Sequence, residues 1–228
     1  MRQQWRFAWR FSFRATGWLM AFIGGWVVVG GLLINLSNER LLVDSLSSFD
    51  VVIPLFVGLN AALLFAPDDE PALEVLLAAP RPTPYLIYER VATLVIVQGG
   101  IGLILSVVAS LTSTESNLAV IVLRWAAPAI CMMGLCTLAT LYSRRSAFGV
   151  LVAVVICAAM AVGNAVILPV FPDLWFLIFY VQPQDVSGQQ YLINRLFLTA
   201  VGMGAMLMVI YRLRDVEKLL GFQEAKNG

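Results

Sequence analysis

The sequence predicts an all-α polytopic membrane protein: six transmembrane helices, an amphipathic N-terminal helix, a short polar-faced helix between spans two and three, and a re-entrant hairpin before span six. Three observations predict it: the composition, the length of the apolar runs, and the placement of Lys and Arg. Of 228 residues, 60% are hydrophobic and 13% charged, whereas a soluble domain carries about a quarter charged residues. Six apolar runs approach or exceed the roughly 20 residues that a bilayer core requires. They cover 17–36, 49–65, 86–110, 118–142, 147–168 and 191–211. The net charge of +1 identifies no acidic partner. His is absent, and Cys131, Cys136 and Cys157 all lie in apolar runs. That composition removes the usual zinc constellations, Cys–His nucleophile pairs and His-ligated haem. Lone cysteines in such runs read as small core hydrophobes, and nothing in their context points to disulfides.

The first element is an arm over residues 1–16. Arg2, Arg6, Arg10 and Arg14 recur every four residues, flanked by Trp5 and Trp9 on one side and Phe7 and Phe11 on the other. A helix of this pattern lies in the headgroup layer, aromatics dipping in and guanidinium groups on phosphates. It reads either as a simple positive-inside anchor or as an elbow that also moves with the first span. The basic set is short and beside a span, so nucleic acid is not an expected partner. The charges are interleaved with aromatics, which is not the pattern of a signal peptide.

The spanning region covers 17–211, with a cytosolic tail over 212–228. Six spans put both ends of the chain on one face, and the Lys/Arg bias orients it. Arg2, Arg6, Arg10, Arg14, Arg81, Arg90, Arg144, Arg145, Arg212, Arg214, Lys218 and Lys226 fall on one side; Arg40, Arg124 and Arg195 fall on the other. The twelve mark the cytosolic face. Loops 37–48, 111–117 and 168–190 then face outward. Within the last of these, the apolar piece 170–181 is too short to span. It is bounded by Pro169, Pro172 and Gln182-Pro-Gln-Asp, so it reads as a re-entrant or interfacial hairpin.

Segment 67–85 interrupts membrane-grade sequence with a polar stretch. Asp69 or Glu70 can cap a helix whose first turn holds Pro71. Glu70 and Glu74 share one face near the positive end of the helix dipole, and Leu73, Leu76 and Leu77 form the opposite face. Pro80, Pro82 and Pro84 end this helix and stiffen the return to the membrane. The acidic cluster Asp68-Asp69-Glu70 would be repelled by an anionic inner leaflet, which favours contact with a protein over rest on lipid.

The pattern Leu64-Phe65-x-x-Asp68-Asp69-Glu70-x-x-Leu73-Glu74-x-Leu76-Leu77-x-x-Pro80-Arg81-Pro82, followed by a returning span, resembles type-2 ATP-binding-cassette exporter permeases. Haem-exporter-like permeases of cytochrome c maturation are similar in size and in this segment. Many members of the family carry glycine before the Leu-Glu pair, where this chain has Pro71-Ala72. The resemblance covers the whole chain. It implies an elbow helix at Arg2–Arg14, a cytosolic coupling helix carrying Asp68, Asp69, Glu70, Leu73, Glu74, Leu76, Leu77 and Arg81, and short outer helices before the last span. It further implies a bacterial inner-membrane location, a second permease subunit (the same or a different chain) and a separate cytosolic ATPase that binds ATP and Mg. This chain has no Gly-x-x-x-x-Gly-Lys-Ser/Thr loop, and its lysines are Lys218 and Lys226, both in the tail. It therefore lacks a P-loop of its own. The expectation is a transport subunit, not an enzyme, with no catalytic residues and no bound cofactor or metal.

The polar inventory of the spans is narrow, which suits hydrophobic or amphipathic cargo. Arg124 is expected to snorkel to the interface. Asn60, Gln98 and Asn164 are expected to join helices by hydrogen bonds. Gly24-Gly25, Gly30-Gly31, and Gly99-Gly100 with Gly102 would permit close helix approach. Trp175, Phe176, Phe179 and Tyr180 fit an aromatic belt, or an outer gate on an exit path. Two rival classes stand beside the exporter. A non-transporting scaffold or regulatory subunit would dock a cytosolic protein through the same segment. An intramembrane enzyme would need a catalytic pair in the spans, and none is legible.

Overall fold

The computed structural model describes residues 42–64, 83–112, 117–170, 177–179 and 186–214. Among these the chain is all helical. In order run α1 (Leu42–Leu64), α2 (Thr83–Leu94), a π-helical turn (Val95–Gly99), α3 (Gly100–Thr112), α4 (Leu118–Ser143), α5 (Ser146–Val170) and α6 (Gly188–Arg214). Three stretches are long and apolar enough to cross a membrane: Tyr88–Leu111, which runs through α2, the π turn and α3, then Leu118–Ser143 and Gly188–Leu213. Shorter apolar stretches lie in α1 (Val51–Leu63) and α5 (Ser146–Ala159). Five of the six expected spans thus fall on helices. The first, 17–36, lies outside the described residues, as does the tail beyond Arg214; residues 212–214, expected in the tail, continue α6.

Boundaries differ from expectation where the expectation relied on hydropathy alone. α1 begins at Leu42, so part of the expected outer loop 37–48 is helical. α2 begins at Thr83, which places Pro84 in the first turn of the returning helix. A proline is tolerated there because its missing N–H has no intrahelical partner anyway. α6 begins at Gly188 because Ser187 and Gln190 form a reciprocal cap. The Ser187 N–H donates to Gln190 Oε1 at 3.0 Å, and the Gln190 N–H donates to Ser187 Oγ at 3.3 Å. This Ser-x-x-Gln box satisfies N–H groups that a helix start otherwise leaves open. α4 starts similarly, with Asn117 Oδ1 accepting from the Ala119 N–H at 3.1 Å. It ends at Arg144, whose φ of 64° is left-handed. That residue turns the chain sharply into α5.

α4 is the hub of the bundle. It packs against α1, α3, α5 and α6, and more of its apolar length is buried than in the other two long helices. Glycines bring the backbones together. A methyl group on Gly134 of α4 would fall on the Gly202 carbonyl of α6, and one on Gly202 would fall on the Ile130 carbonyl. Gly58 of α1 sits against Met132 and Cys136, and Gly149 of α5 sits against Thr140, Ala62 and Cys136. Small residues at such seams are how membrane helices gain van der Waals contact. α6 runs parallel to α4, because Gly202 meets Ile130 and Gly134 while, further along both helices, the Arg212 guanidinium lies over the Tyr142 ring. α1 is parallel to them too: Gly58 meets Met132, and Ala62 meets Gly149 beside Thr140. Gly102 and Ser106 of α3 meet Trp125 of α4, and only five residues separate Thr112 from Leu118, too few for anything but an immediate return, so α3 runs antiparallel to α4. α5 is antiparallel through the tight 143–146 connection. Outward faces remain apolar, with Val95, Ile96 and Ile104 on the third span and Leu196, Leu207 and Met208 on the last all exposed. Leu and Val on the outside as well as in the core is the pattern of helices solvated by lipid.

Candidate functional site

The coupling residues expected from sequence, Asp68, Asp69, Glu70, Leu73, Glu74, Leu76, Leu77 and Arg81, lie outside the described residues. So do Arg2, Trp5, Arg6, Trp9, Arg10 and Arg14 of the arm, and Trp175, Phe176 and Tyr180 of the outer aromatic cluster. The described helices fix what brackets the coupling segment: α1 ends at Leu64 and α2 begins at Thr83.

Phe179 is the member of the aromatic cluster that the structure describes. Its side chain is 5% exposed and packs in a core group with Cys131, Met132 and Leu198. A belt residue would sit on the lipid-facing rim, so the belt reading does not hold for Phe179. The short turn at Leu177–Phe179 is instead seated on α6 through polar contacts. Asn194 Nδ2 donates to the Ile178 carbonyl at 2.9 Å, and Arg195 donates through Nη1 to the Phe179 carbonyl at 2.8 Å. The Arg195 guanidinium also lies over the Tyr191 ring, 4.8 Å from its centroid. Asn194 and Arg195 are almost wholly buried. Irregular backbone at membrane depth needs such partners because lipid offers none. The sequence pattern counts Arg195 among the outer-face cations and gives Asn194 no role. The adjacent pair Asn194-Arg195 inside an apolar run was the available signal, since intramembrane polar residues rarely stand without a task.

Other polar side chains also behave differently from expectation. Arg124 is 5% exposed and partnered within the protein, so it does not snorkel. Arg90, counted on the cytosolic flank, is buried two turns into α2. Asn60 does not join helices: its Nδ2 donates to the Phe56 carbonyl of its own helix at 3.0 Å, and its Oδ1 has no partner. The Asn164 side chain is outside the description. Serine and threonine hydroxyls mostly turn back on their own helices, as Thr137 does to the Met133 carbonyl at 2.7 Å. A cross-helix bond joins Trp125 Nε1–H to Ser106 Oγ at 2.8 Å, with Ser106 donating onward to the Gly102 carbonyl at 2.7 Å. Cys131 and Cys136 are buried in the core group. That is the place expected of small hydrophobic cysteines.

Among the long apolar helical stretches, Tyr88–Leu111, the expected third span, is the one interrupted by a π turn. Its π turn at Val95–Gly99 buries Gln98, whose Oε1 has no hydrogen-bond partner. Among the described residues no helix makes the close approach expected at Gly99-Gly100. A methyl on Gly99 would meet only Val95 of its own helix, at 3.9 Å, and one on Gly100 would meet nothing within 4 Å. Gly102 alone of the three seats a neighbour: a methyl there would lie 2.7 Å from the Trp125 ring.

Among the described residues no group of three or more His, Cys, Asp or Glu side chains comes together in a way that could hold a metal. The chemistry on view is helix-to-helix fastening. No protein-family model, curated protein or solved structure matches the chain significantly.

Proposed function

We propose that this chain is the transmembrane permease subunit of an ATP-binding-cassette exporter in a bacterial cytoplasmic membrane, with six spans and both ends of the chain cytosolic. The observation that carries the reading is segment 68–82. It combines an acidic cluster, an apolar Leu73/Leu76/Leu77 face and three closing prolines, and it joins two helices that both pack in the bundle. A short amphipathic helix tied at both ends to packed spans suits the transfer of force from a cytosolic partner. ATP-driven closure of a separate ATPase would push on residues 70–77, tilt the spans and open an outward path for hydrophobic or amphipathic cargo. The cargo would pass between this chain and a second permease subunit, or along their lipid-facing seam. ATP and Mg would be held by the ATPase.

The test is affinity purification of the full chain in mild detergent, with identification of co-purifying proteins and an ATPase assay. The expected result is a stoichiometric P-loop ATPase that is lost when Asp68, Asp69 and Glu70 are replaced by lysine. Glu74→Arg is expected to keep the complex and uncouple hydrolysis from transport. A co-purifying protein without ATPase activity would instead establish the scaffold reading.

A further inference from the structure

The third span is one continuous rod in sequence and two in packing. Its first half, α2, packs mainly on α1 and α6; its second half, α3, packs on α4. The π turn between them rests mainly on its own flanking turns. The α3 half is pinned twice to Trp125, by the flat seat at Gly102 and by the Ser106 hydroxyl that accepts from the indole N–H. Backbone angles at Leu94 and Gly100, on either side of the turn, are regular α values, φ −61° and ψ −47° at both. The irregularity is therefore confined to one extra residue. Its sequence favours this: Val95-Ile96-Val97 is a β-branched run, and Gly99-Gly100 follows it. Both features weaken an α-helix, the first by crowding and the second by backbone entropy. The Gly100 N–H is shared between the Ile96 and Val97 carbonyls.

A single π turn adds one residue, so resolving it into α-helix turns one half against the other by about 100° and shifts it by roughly 1.5 Å. Two features beside the turn indicate that this shift is open to the span. Among the described residues the glycine pair seats no neighbouring helix, so neither glycine ties the turn to a packing partner. The Gln98 amide oxygen is 8% exposed at the residue level and unpartnered. A buried acceptor without a donor is rare in a settled helix. We propose that Val95–Gly99 is a register switch: the α2 half rotates and slides between a π and an α setting while the α3 half stays fixed on Trp125. In the α setting, Gln98 turns off its present face, where its Oε1 has no donor. The use of this motion rests on the permease reading, in which residues 67–85 lead directly into α2 and displacement there would be absorbed at the π turn. The motion itself does not depend on that reading.

The test is a pair of spin-label distances in the full-length protein in lipid nanodiscs, with Cys131, Cys136 and Cys157 replaced by alanine. Labels at Tyr88 and Phe148 report the α2 half against α5; labels at Leu111 and Phe148 report the α3 half. All three positions are exposed. The expected result is two distance components for 88–148 and one for 111–148. Deleting Val97 removes the extra residue, keeps both flanking faces in register and is expected to abolish the second 88–148 component. Gly99→Ala with Gly100→Ala is the variant that leaves the packing of the described helices intact, since the first methyl only touches Val95 of its own helix at 3.9 Å and the second meets nothing within 4 Å. It is expected to deplete the same component. A single 88–148 distance in the unsubstituted span, or two components that survive the alanine pair unchanged, would overturn the switch. Two components that respond as expected, in a protein with no ATPase partner, would leave the switch standing and end the permease reading.

Discussion

At the scale of single residues, a buried cation in a lipid-solvated protein has to be answered by the protein itself. Arg195 meets this demand with the Phe179 carbonyl on one side and the Tyr191 ring on the other. The arrangement uses the planar guanidinium twice, as donor and as a stacked cation, which an ammonium cannot reproduce. Asn194 holds the preceding carbonyl, so two consecutive peptide groups are fixed by two consecutive side chains. Arg195→Met keeps the apolar stem and removes the donor, leaving the Phe179 carbonyl without its Arg195 donor at a cost of about 1–3 kcal/mol. The expected consequence is local. Ile178 is buried beneath this latch, and a cysteine placed there should be unreactive to maleimide with Arg195 present and readily modified in Arg195→Met. Arg195→Lys should behave like the methionine variant. Continued protection of position 178 in both would show that packing of Ile178 and Phe179, not the polar latch, holds the turn.

At the scale of helices, most of what was legible from sequence came from length and hydropathy, because lipid imposes both directly. Five expected spans land on helices with ends shifted by a few residues. The shifts came from local hydrogen bonding that hydropathy does not register, such as the Ser187–Gln190 cap. Packing partners were less legible. Glycine pairs attract attention in a sequence, yet Gly99 and Gly100 face no neighbour, while the isolated Gly134 and Gly202 carry the closest backbone approach. The reason is geometric: which face of a helix meets a neighbour depends on its rotation in the bundle, and uniformly apolar helices give no amphipathic stripe to reveal it. The π turn was hidden for the same reason, since one inserted residue changes no hydropathy window. The Gly134–Gly202 seam yields a clear expectation. Gly134→Val would force α4 and α6 apart along their shared length and destabilise the bundle by roughly 1–3 kcal/mol. Gly204→Val, two residues further along α6 and with nothing within 4 Å of its methyl position, would not. Thermal unfolding in detergent, followed by tryptophan fluorescence, should separate the two; equal midpoints would mean that the seam is not where α4 and α6 are held.

At the scale of the molecule, the parallel set α1, α4 and α6 with the antiparallel α3 and α5 is the alternation that successive crossings of a bilayer produce. It fixes which parts of the chain share a face, though not which face is cytosolic. The start of α2 and the end of α4 lie on one side, so the connection at Arg144–Arg145 reports the side of segment 67–85. Ser187, at the start of α6, lies on the other. The charge asymmetry behind the expected orientation is sharper once burial is known. Arg124 and Arg195, two of the three cations assigned to the outer face, are buried inside helices and partnered, so they have little weight in a rule that counts loop charges. Arg145 is exposed and Ser187 is exposed, which makes each a usable reporter. In intact cells, a membrane-impermeant maleimide should label Ser187→Cys and spare Arg145→Cys; permeabilisation should expose the second. The reverse pattern would put segment 67–85 outside the cell, beyond reach of any ATP-driven partner. The acidic cluster at Asp68-Asp69-Glu70 would then need an extracellular explanation, and both the exporter reading and its scaffold rival would fall together. Labelling of both positions in intact cells would break the alternation itself, because α5 would no longer separate two faces.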